Sequence, residues 1–271
     1  MKYFYLSLKI LIISYILIAL ILYFFQRKLL YFPQKGVNLV YEKEISIKNK
    51  EIVLRGWVIN DGKDNAILYY GGNAEKIEYN IPQFKKIFRN YTVYLMCYRG
   101  YGMSEGIPTE TNLYNDAVLI YDKIKKNHNN ISLIGRSLGC SIGMYVASKK
   151  SANKIALITP FDSIEKVAQQ IFWMYPMSIL LKDKYNSSKY AEKISSKTLI
   201  MIAENDEVIT RKRSESLISM FKSDNLTVEI IKGAGHNSIS IFPEFKRSLG
   251  LFFNGEKNES NIDSVSHLHI R

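Results

Sequence analysis

The sequence is poor in cysteine and histidine. Its 271 residues include two cysteines and four histidines. Two cysteines cannot build a disulfide scaffold or a four-cysteine zinc site, and the histidines are scattered singly along the chain. We therefore expect no metal site. The sequence also lacks G-x-x-x-x-G-K-[ST], which argues against a phosphate-binding P-loop.

Acidic residues are fewer than basic ones. Lys and Arg number 37 against 25 Asp and Glu, which gives a formal net charge of +12. Because the positive charges do not form one run, we expect no nucleic-acid partner. Hydrophobic residues make up 47% of the chain, too many for a disordered protein. The length suits one large domain better than two.

A long hydrophobic run lies near the amino terminus. Residues 10–25 carry no charge, and among the 23 residues 3–25 the one charged residue is Lys9. At about 1.5 Å per helical residue, this stretch spans roughly 35 Å, enough to cross a bilayer core. The run ends in aromatic residues followed by Arg27 and Lys28, a pattern typical of a membrane interface.

We interpret this run as an uncleaved single-pass transmembrane anchor, residues 1–25, followed by a junction, residues 26–35. A cleaved signal peptide and a buried helix are the alternatives, but no small-residue cleavage site follows the run. More basic residues follow the anchor than precede it, so the positive-inside rule predicts a cytoplasmic location for the domain that follows. An exported domain is the alternative, since signal anchors also begin with a short basic tail.

Short apolar runs alternate with amphipathic stretches after the anchor. The predicted strands are Glu44–Lys48, Ile52–Ile59, Ala66–Tyr70, Thr92–Met96, Ile131–Ile134, Lys154–Ile158, Thr198–Ala203 and Leu226–Ile231. The predicted helices are Lys76–Phe88, Asn112–Lys126, Ser137–Lys149, Arg211–Lys222 and Pro243–Phe253. The first two strands flank Asn49 and Lys50, which predicts a hairpin. The rest of the pattern predicts an α/β fold with a mostly parallel sheet and helices on both faces.

We assign this α/β domain to residues 36–254. The interval 163–196, which we call the lid segment, is longer than a simple crossover and is predicted to be a small lid-like insertion. Residues 255–271 are polar and are predicted to form a flexible tail.

A nucleophile motif directly follows the predicted strand Ile131–Ile134. Residues 135–139 are Gly-Arg-Ser-Leu-Gly and open a helix, the strand–turn–helix setting that a G-x-S-x-G nucleophile elbow requires. The glycines allow close backbone approach, and the sharp turn pushes the Ser137 hydroxyl out above the sheet. The Leu138 amide is then free at a helix N-terminus, where it can stabilise an oxyanion. A structural glycine turn without catalysis is the alternative.

Two further residues complete a candidate triad in the chain order Ser, Asp, His. His236 follows the last predicted strand and is the candidate general base that takes the serine proton. Asp206 follows an earlier strand and is the candidate acid that holds the imidazole tautomer, with Asp162 as the alternative acid. The other histidines are weaker candidates for the base and are predicted to lie in a surface turn or in the tail: His128, His267 and His269.

These motifs, taken in order, resemble the α/β-hydrolase superfamily. They are Tyr69–Ala74 (YYGGNA), Tyr98–Gly106 (YRGYGMSEG), the elbow, Asp206 and Gly233–His236. More narrowly, the chain is similar to N-terminally membrane-anchored serine hydrolases, a branch that includes eukaryotic protein depalmitoylases. It is also similar to lysophospholipase-like and serine-aminopeptidase-like enzymes. The resemblance spans roughly residues 26–253.

The resemblance implies a second oxyanion donor, the backbone amide of Asn73. The family usually has histidine where this chain has Gly71, a departure that removes a side chain but no backbone donor. The family also usually has aspartate at the position of Cys97. We interpret Cys97 and Cys140 as buried small apolar residues rather than as a disulfide.

The lid segment contains an apolar cluster that is too hydrophobic for an ordinary exposed loop. In the α/β-hydrolase fold this connection overhangs the serine, so Trp173, Met174 and Tyr175 are candidate acyl-binding residues. Ordinary packing onto the sheet is the alternative interpretation of these side chains.

The sequence therefore predicts a membrane-anchored hydrolase that cleaves carboxylic esters or thioesters in membrane lipid or acylated protein. No cofactor is expected, because a triad and an oxyanion hole suffice for acyl transfer. Serine in the elbow argues against haloalkane dehalogenase and epoxide hydrolase chemistry. A serine peptidase acting on small peptides and a non-catalytic membrane scaffold are the alternatives.

Overall fold

A computed structural model describes residues 1–36, 42–222 and 225–255. Apart from Gly255, the predicted flexible tail lies outside the described residues. The strands are β1 Lys43–Asn49, β2 Ile52–Ile59, β3 Asn65–Tyr70, β4 Thr92–Met96, β5 Asn130–Arg136, β6 Lys154–Ile158, β7 Lys197–Ala203 and β8 Leu226–Ile231. The helices are α1 Lys2–Leu30, α2 Ile81–Ile87, α3 Glu110–Ile124, α4 Leu138–Ala147, α5 Ile164–Ile171, α6 Met177–Leu180, α7 Ser188–Ala191, α8 Arg211–Ile218 and α9 Pro243–Asn254.

The described strands form one sheet in the order β1-β2-β4-β3-β5-β6-β7-β8. The pairs β1–β2 and β2–β4 are antiparallel, and the other five pairs are parallel. This sheet confirms the predicted α/β-hydrolase fold. The hairpin turn consists of Lys50 and Glu51, one residue later than predicted, because Asn49 pairs with Ile52. Lys50 adopts a left-handed backbone conformation in this turn, with φ +54°.

The central strands are buried on both faces, which explains their continuously apolar sequences. Val93, Leu133 and Leu157, from three of these strands, are fully buried. Because the parallel strands share one direction, the loops that follow them meet at the same edge of the sheet. The residues predicted for the active site follow β3, β5, β7 and β8, so the topology brings them to this common edge.

Three predicted helices are shorter than expected. α4 covers Leu138–Ala147 rather than Ser137–Lys149. The stretch predicted as one helix from Lys76 is a 3₁₀ turn, Ile77–Asn80, followed by α2, which has a proline in its first turn. Proline lacks the N–H that a helix interior needs, so a helix can begin there but cannot easily run through it. α8 ends at Ile218, four residues before the predicted end at Lys222.

α1 has the length and composition needed to cross a membrane. It contains 29 residues, and only 6% of its most apolar 18-residue window is buried, unlike a core helix. The helix continues through Leu30, so the first half of the predicted junction is helical. The membrane crossing itself and the cytoplasmic orientation of the domain stay predictions.

Candidate active site

Ser137 lies on a strained turn between β5 and α4. Its backbone has φ +50° and ψ −116°, a conformation that residues other than glycine rarely adopt. A Cβ at Gly139 would lie 2.0 Å from the Tyr70 carbonyl oxygen, so only glycine permits α4 to approach β3 this closely. The Ser137 amide donates to the Ile158 carbonyl at 2.8 Å, which anchors the turn to β6. The helix begins at Leu138 rather than at the serine, as an elbow requires.

The structure brings Ser137, His236 and Asp206 together in one hydrogen-bonded chain. His236 Nε2 lies 3.0 Å from Ser137 Oγ, and His236 Nδ1 lies 2.8 Å from Asp206 Oδ2. The imidazole and the carboxylate are both buried. This geometry gives the imidazole one nitrogen for the serine proton and leaves the other to donate to the acid.

Backbone donors fix the orientation of the Asp206 carboxylate. Its Oδ1 accepts from the amides of Val208 at 2.9 Å and Ile209 at 2.6 Å, which leaves Oδ2 for the imidazole. The neighbouring acid Glu207 accepts from the backbone amide of His236 at 3.1 Å. The Glu207 contact, together with the bond between Asp206 and the imidazole, holds the loop after β7 against the loop after β8.

The competing acid and the competing histidine lie in other contacts. Asp162 Oδ2 is 3.0 Å from Arg213 Nη1, so its buried charge is balanced within the fold. His128 is buried rather than in a surface turn, and its Nε2 lies 2.8 Å from Tyr94 Oη. The sequence missed this burial because the ring pairs with a tyrosine distant in the chain. The other two histidines lie outside the described residues.

Two backbone amides lie free next to the Ser137 turn. Within the described part of the chain, the N–H groups of Asn73 and Leu138 have no hydrogen-bond acceptor. The amide of Gly72, one residue earlier in the loop, donates to Glu75 Oε2 at 2.5 Å. That contact leaves Asn73, rather than Gly72, to supply a donor from this loop.

A partly buried ion pair that the sequence interpretation missed supports this loop. Glu75 accepts from Gly72 and from Tyr69 Oη at 2.8 Å, and its Oε1 lies 3.2 Å from Arg136 Nη1. Arg136 also donates to the backbone carbonyls of His236 and Asn237. Burial acts to lower the pKa of the Arg136 guanidinium, but the Glu75 carboxylate and the Tyr69 hydroxyl together outweigh it and raise that pKa. The pair thus joins the loops on either side of Ser137.

The side chain of Asn73 connects the same loop to α1. Its Nδ2 donates at 2.6 Å to the carbonyl of Leu30, which is the last residue of that helix. Its Oδ1 accepts from Phe32 N at 3.2 Å and from Tyr101 Oη at 2.7 Å. The amino-terminal helix therefore ends directly at the candidate oxyanion loop.

Ser137 and His236 open onto a cleft of about 900 Å³. The cleft wall includes Asn73 and Gln34, together with residues from α2 and from the loops after β7 and β8. The lining does not include the predicted acyl-binding residues Trp173, Met174 and Tyr175. Tyr175 and the backbone of Met174 contact Tyr15 of α1 instead, and Trp173 is exposed. The structure therefore does not bring these three residues to Ser137, because the loop packs along an apolar helix that a strand-and-helix pattern does not locate.

Cys97 and Cys140 are free and buried. The Gly71 departure leaves the loop intact, because Glu75 and Tyr98 bond its backbone. Tyr98 Oη donates to the Gly71 carbonyl at 2.7 Å. Among the described residues, no group of three or more His, Cys, Asp or Glu side chains is arranged to hold a metal ion.

Comparison with known proteins places this site in a family. The model of the FSH1 serine hydrolase family matches residues 41–238. The chain belongs to this family. The serine hydrolase is 30% identical to the uncharacterised membrane protein YNL320W of Saccharomyces cerevisiae over 213 residues, 74% of this chain and 75% of the yeast protein.

Two other comparisons agree with the α/β-hydrolase assignment. Alpha/beta hydrolase domain-containing protein 17C of Xenopus tropicalis is 28% identical over 175 residues, 62% of this chain and 54% of the frog protein. The Pyrococcus furiosus esterase Pf2001 superposes with a TM-score of 0.66 at 20% identity, covering 82% of this chain and 97% of its own. At that identity the likeness shows the fold alone.

Proposed function

We propose that this serine hydrolase is membrane-anchored through α1 and cleaves carboxylic esters or thioesters through Ser137, His236 and Asp206. The observation that carries the proposal is the chain of two hydrogen bonds, 3.0 Å and 2.8 Å long, that links the three side chains on the strained turn. Family membership supports the serine hydrolase chemistry, and the geometry supports the assignment of these three residues.

The reaction proceeds through an acyl-enzyme. His236 Nε2 takes the proton of Ser137 as its Oγ forms a bond to the acyl carbon. The carbonyl oxygen becomes an oxyanion, which accepts from the amides of Asn73 and Leu138. The bond to the leaving oxygen or sulfur then breaks, and His236 gives that atom its proton.

Water completes the cycle. His236 takes a proton from a water molecule, whose oxygen attacks the acyl carbon of the acyl-enzyme. The second oxyanion collapses with release of the carboxylic acid, and the proton returns to Ser137 Oγ. Asp206 accepts the hydrogen bond from His236 Nδ1 and stabilises the imidazolium that forms in each half-reaction.

Membrane-borne acyl compounds are the substrate class we favour. Asn73 bonds to the last residue of α1, so an anchored helix holds the oxyanion loop and Ser137 close to the lipid headgroups. Esters and thioesters of lipids or acylated proteins are then presented at high local concentration. Pf2001, which is named as an esterase, shares this fold, so the fold accommodates ester chemistry.

A fluorophosphonate probe and a substrate panel test the proposal on the full chain. We expect the probe to label the wild type and not Ser137→Ala, and hydrolysis to fall on the order of 10⁴-fold in the variant. The panel compares p-nitrophenyl esters, lysophospholipids, acylated cysteine peptides and aminoacyl amides. Hydrolysis of amides alone would favour the peptidase alternative, and equal labelling of both proteins would remove Ser137 from the mechanism.

A further inference from the structure

The tip of the lid segment is an exposed apolar surface. Four consecutive residues at the end of α5, Ile171–Met174, are all exposed, and Trp173 has an exposed fraction of 75%. Ile179, on the neighbouring α6, is exposed as well. Soluble proteins rarely expose contiguous apolar surface unless something covers it in the working molecule.

The lid segment runs alongside α1, which is the other exposed apolar surface. Tyr175 stacks on Tyr15 with ring centroids 4.7 Å apart and planes 9° from parallel. Tyr15 Oη donates to the Met174 carbonyl at 2.9 Å. The exposed tip and the apolar helix are therefore one continuous surface.

A second group of contacts fixes the lid segment further along the same helix. Gln26 donates to the Leu180 carbonyl at 3.0 Å and accepts from the Lys182 amide at 2.6 Å. Arg27 then pairs with the buried carboxylate of Asp183 at 2.9 Å. Polar side chains on an apolar helix are thus bonded to the lid segment, as expected where water is excluded.

The positions of these contacts set the depth of the tip. From Tyr15 to Gln26 the helix rises roughly 17 Å at 1.5 Å per residue. One leaflet of a bilayer core is roughly 15 Å thick. When Arg27 lies at the headgroups, as the basic end of an anchor does, the backbone of Met174 beside Tyr15 lies within the hydrocarbon.

The charges along the lid segment match this placement. Residues 171–181 contain no charged side chain, while Lys182 and Lys184 follow directly. Lys182 Nζ lies 4.2 Å from the ring centroid of Tyr23, next to the basic end of α1. An uncharged tip with lysines at its base fits a bilayer with anionic headgroups better than a protein partner, which would need no such layering.

We propose that the tip of the lid segment, Ile171–Met174, inserts into the hydrocarbon of the bilayer beside α1 as a second point of membrane attachment. The inference rests on the proposed membrane anchoring of α1. It gives the exposed lid residues a lipid-facing role in place of the acyl-binding role predicted from the sequence. It also places the base of the lid segment, at Lys182 and Lys184, at the membrane surface.

Tryptophan fluorescence of the full chain in vesicles tests this insertion. The chain has two tryptophans, and Trp57 is only 2% exposed, so the emission lost in Trp173→Phe is that of the tip. The vesicles contain phosphatidylcholine and phosphatidylglycerol with brominated acyl chains. Acrylamide serves as the water-phase quencher.

A matched control places a tryptophan where no lipid is expected. Lys126 is exposed and precedes the amino end of β5, at the edge of the sheet opposite Ser137. The control protein carries Lys126→Trp together with Trp173→Phe. We expect brominated lipid to quench most of the Trp173 emission and acrylamide to quench little of it. In the control protein, acrylamide should quench the emission of the introduced tryptophan and brominated lipid should not.

Three outcomes would overturn the inference. If the protein floats with the vesicles but acrylamide quenches Trp173 as strongly as the control, the anchor holds and the tip lies in water. If neither quencher reaches Trp173, a protein surface such as a second copy covers the tip. If the protein does not float with the vesicles, the proposed anchoring fails as well. Catalysis is read independently, by probe labelling of Ser137.

Discussion

Replacing Asp206 by asparagine tests the hydrogen bond that orients the imidazole of His236. The amides of Val208 and Ile209 both donate to one carboxylate oxygen, so the asparagine must keep its carbonyl oxygen on that side. Its amide NH₂ then faces His236 Nδ1, where Asp206 now accepts a hydrogen bond. Two donors cannot face each other, so the imidazole moves its proton to Nε2.

The wrong tautomer removes general base catalysis while leaving the fold intact. A protonated Nε2 presents a hydrogen to Ser137 Oγ across the 3.0 Å contact and cannot take the serine proton. The equivalent substitution in serine proteases lowers kcat about 10⁴-fold. That loss corresponds to about 5.5 kcal/mol of transition-state stabilisation. The KM for a short ester should change little, because Asp206 does not line the cleft.

Asp162→Asn is the matched control, with the opposite pattern expected. Asp162 is 1% exposed and balances Arg213, so neutralising it leaves a buried cation unpaired. Loss of one partner of a buried pair costs about 3 kcal/mol, which lowers the Tm of a domain of this size on the order of 10 °C. The kcat of the folded protein should stay within a few-fold of wild type, because Asp162 is not bonded to the imidazole.

Steady-state hydrolysis of p-nitrophenyl acetate and thermal unfolding by circular dichroism measure both effects in detergent. In Asp206→Asn, kcat should fall and Tm should stay unchanged. In Asp162→Asn, Tm should fall and kcat should stay within a few-fold of the wild-type value. The reverse pattern in kcat would transfer the orienting role to Asp162. Unchanged kcat in both variants would refute the tautomer argument.

Two further predictions concern the oxyanion loop and the cysteines. Asn73→Asp removes the donor to the Leu30 carbonyl and places a carboxylate against it. We expect kcat to fall about tenfold to a hundredfold, which is part of the cost of a lost oxyanion donor. An unchanged kcat would show that the contact with α1 does not affect catalysis. Burial raises the pKa of Cys97 to about 12 and raises that of Cys140 as well. Both thiols therefore stay protonated at pH 8, and mass spectrometry should find neither alkylated by iodoacetamide until guanidinium unfolds the protein.

The sheet and the elbow were predictable because their signals are local. Thr92–Met96 and Lys154–Ile158 match the observed strands to the residue, since continuous apolar runs mark strands buried on both faces. The order of Ser137, Asp206 and His236 along the chain, each after a strand, was enough to bring them to one edge of a parallel sheet.

The supporting residues were not predictable, because their roles depend on distant partners. Glu75 and Arg136 are ordinary charged residues in the sequence and become a partly buried pair only when the loop after β3 meets the end of β5. His128 is buried by Tyr94 for the same reason. Tyr175 belongs to a clearly apolar stretch, but its stacking partner, Tyr15, lies in a helix whose sequence indicates only a membrane anchor.

The contacts of α1 with Asn73 and with the lid segment make it a support of the candidate active site and more than an exchangeable tether. The Leu30 carbonyl reaches Asn73 only because the helix ends in the right place, and a remnant of five residues from Gln26 to Leu30 is too short to stay helical alone. Removing the helix upstream would also take away Tyr15, which holds the lid segment. Activity measured on such a truncated protein would thus report a loosened oxyanion loop and a detached lid segment, and the rates that bear on the mechanism are those of the full chain.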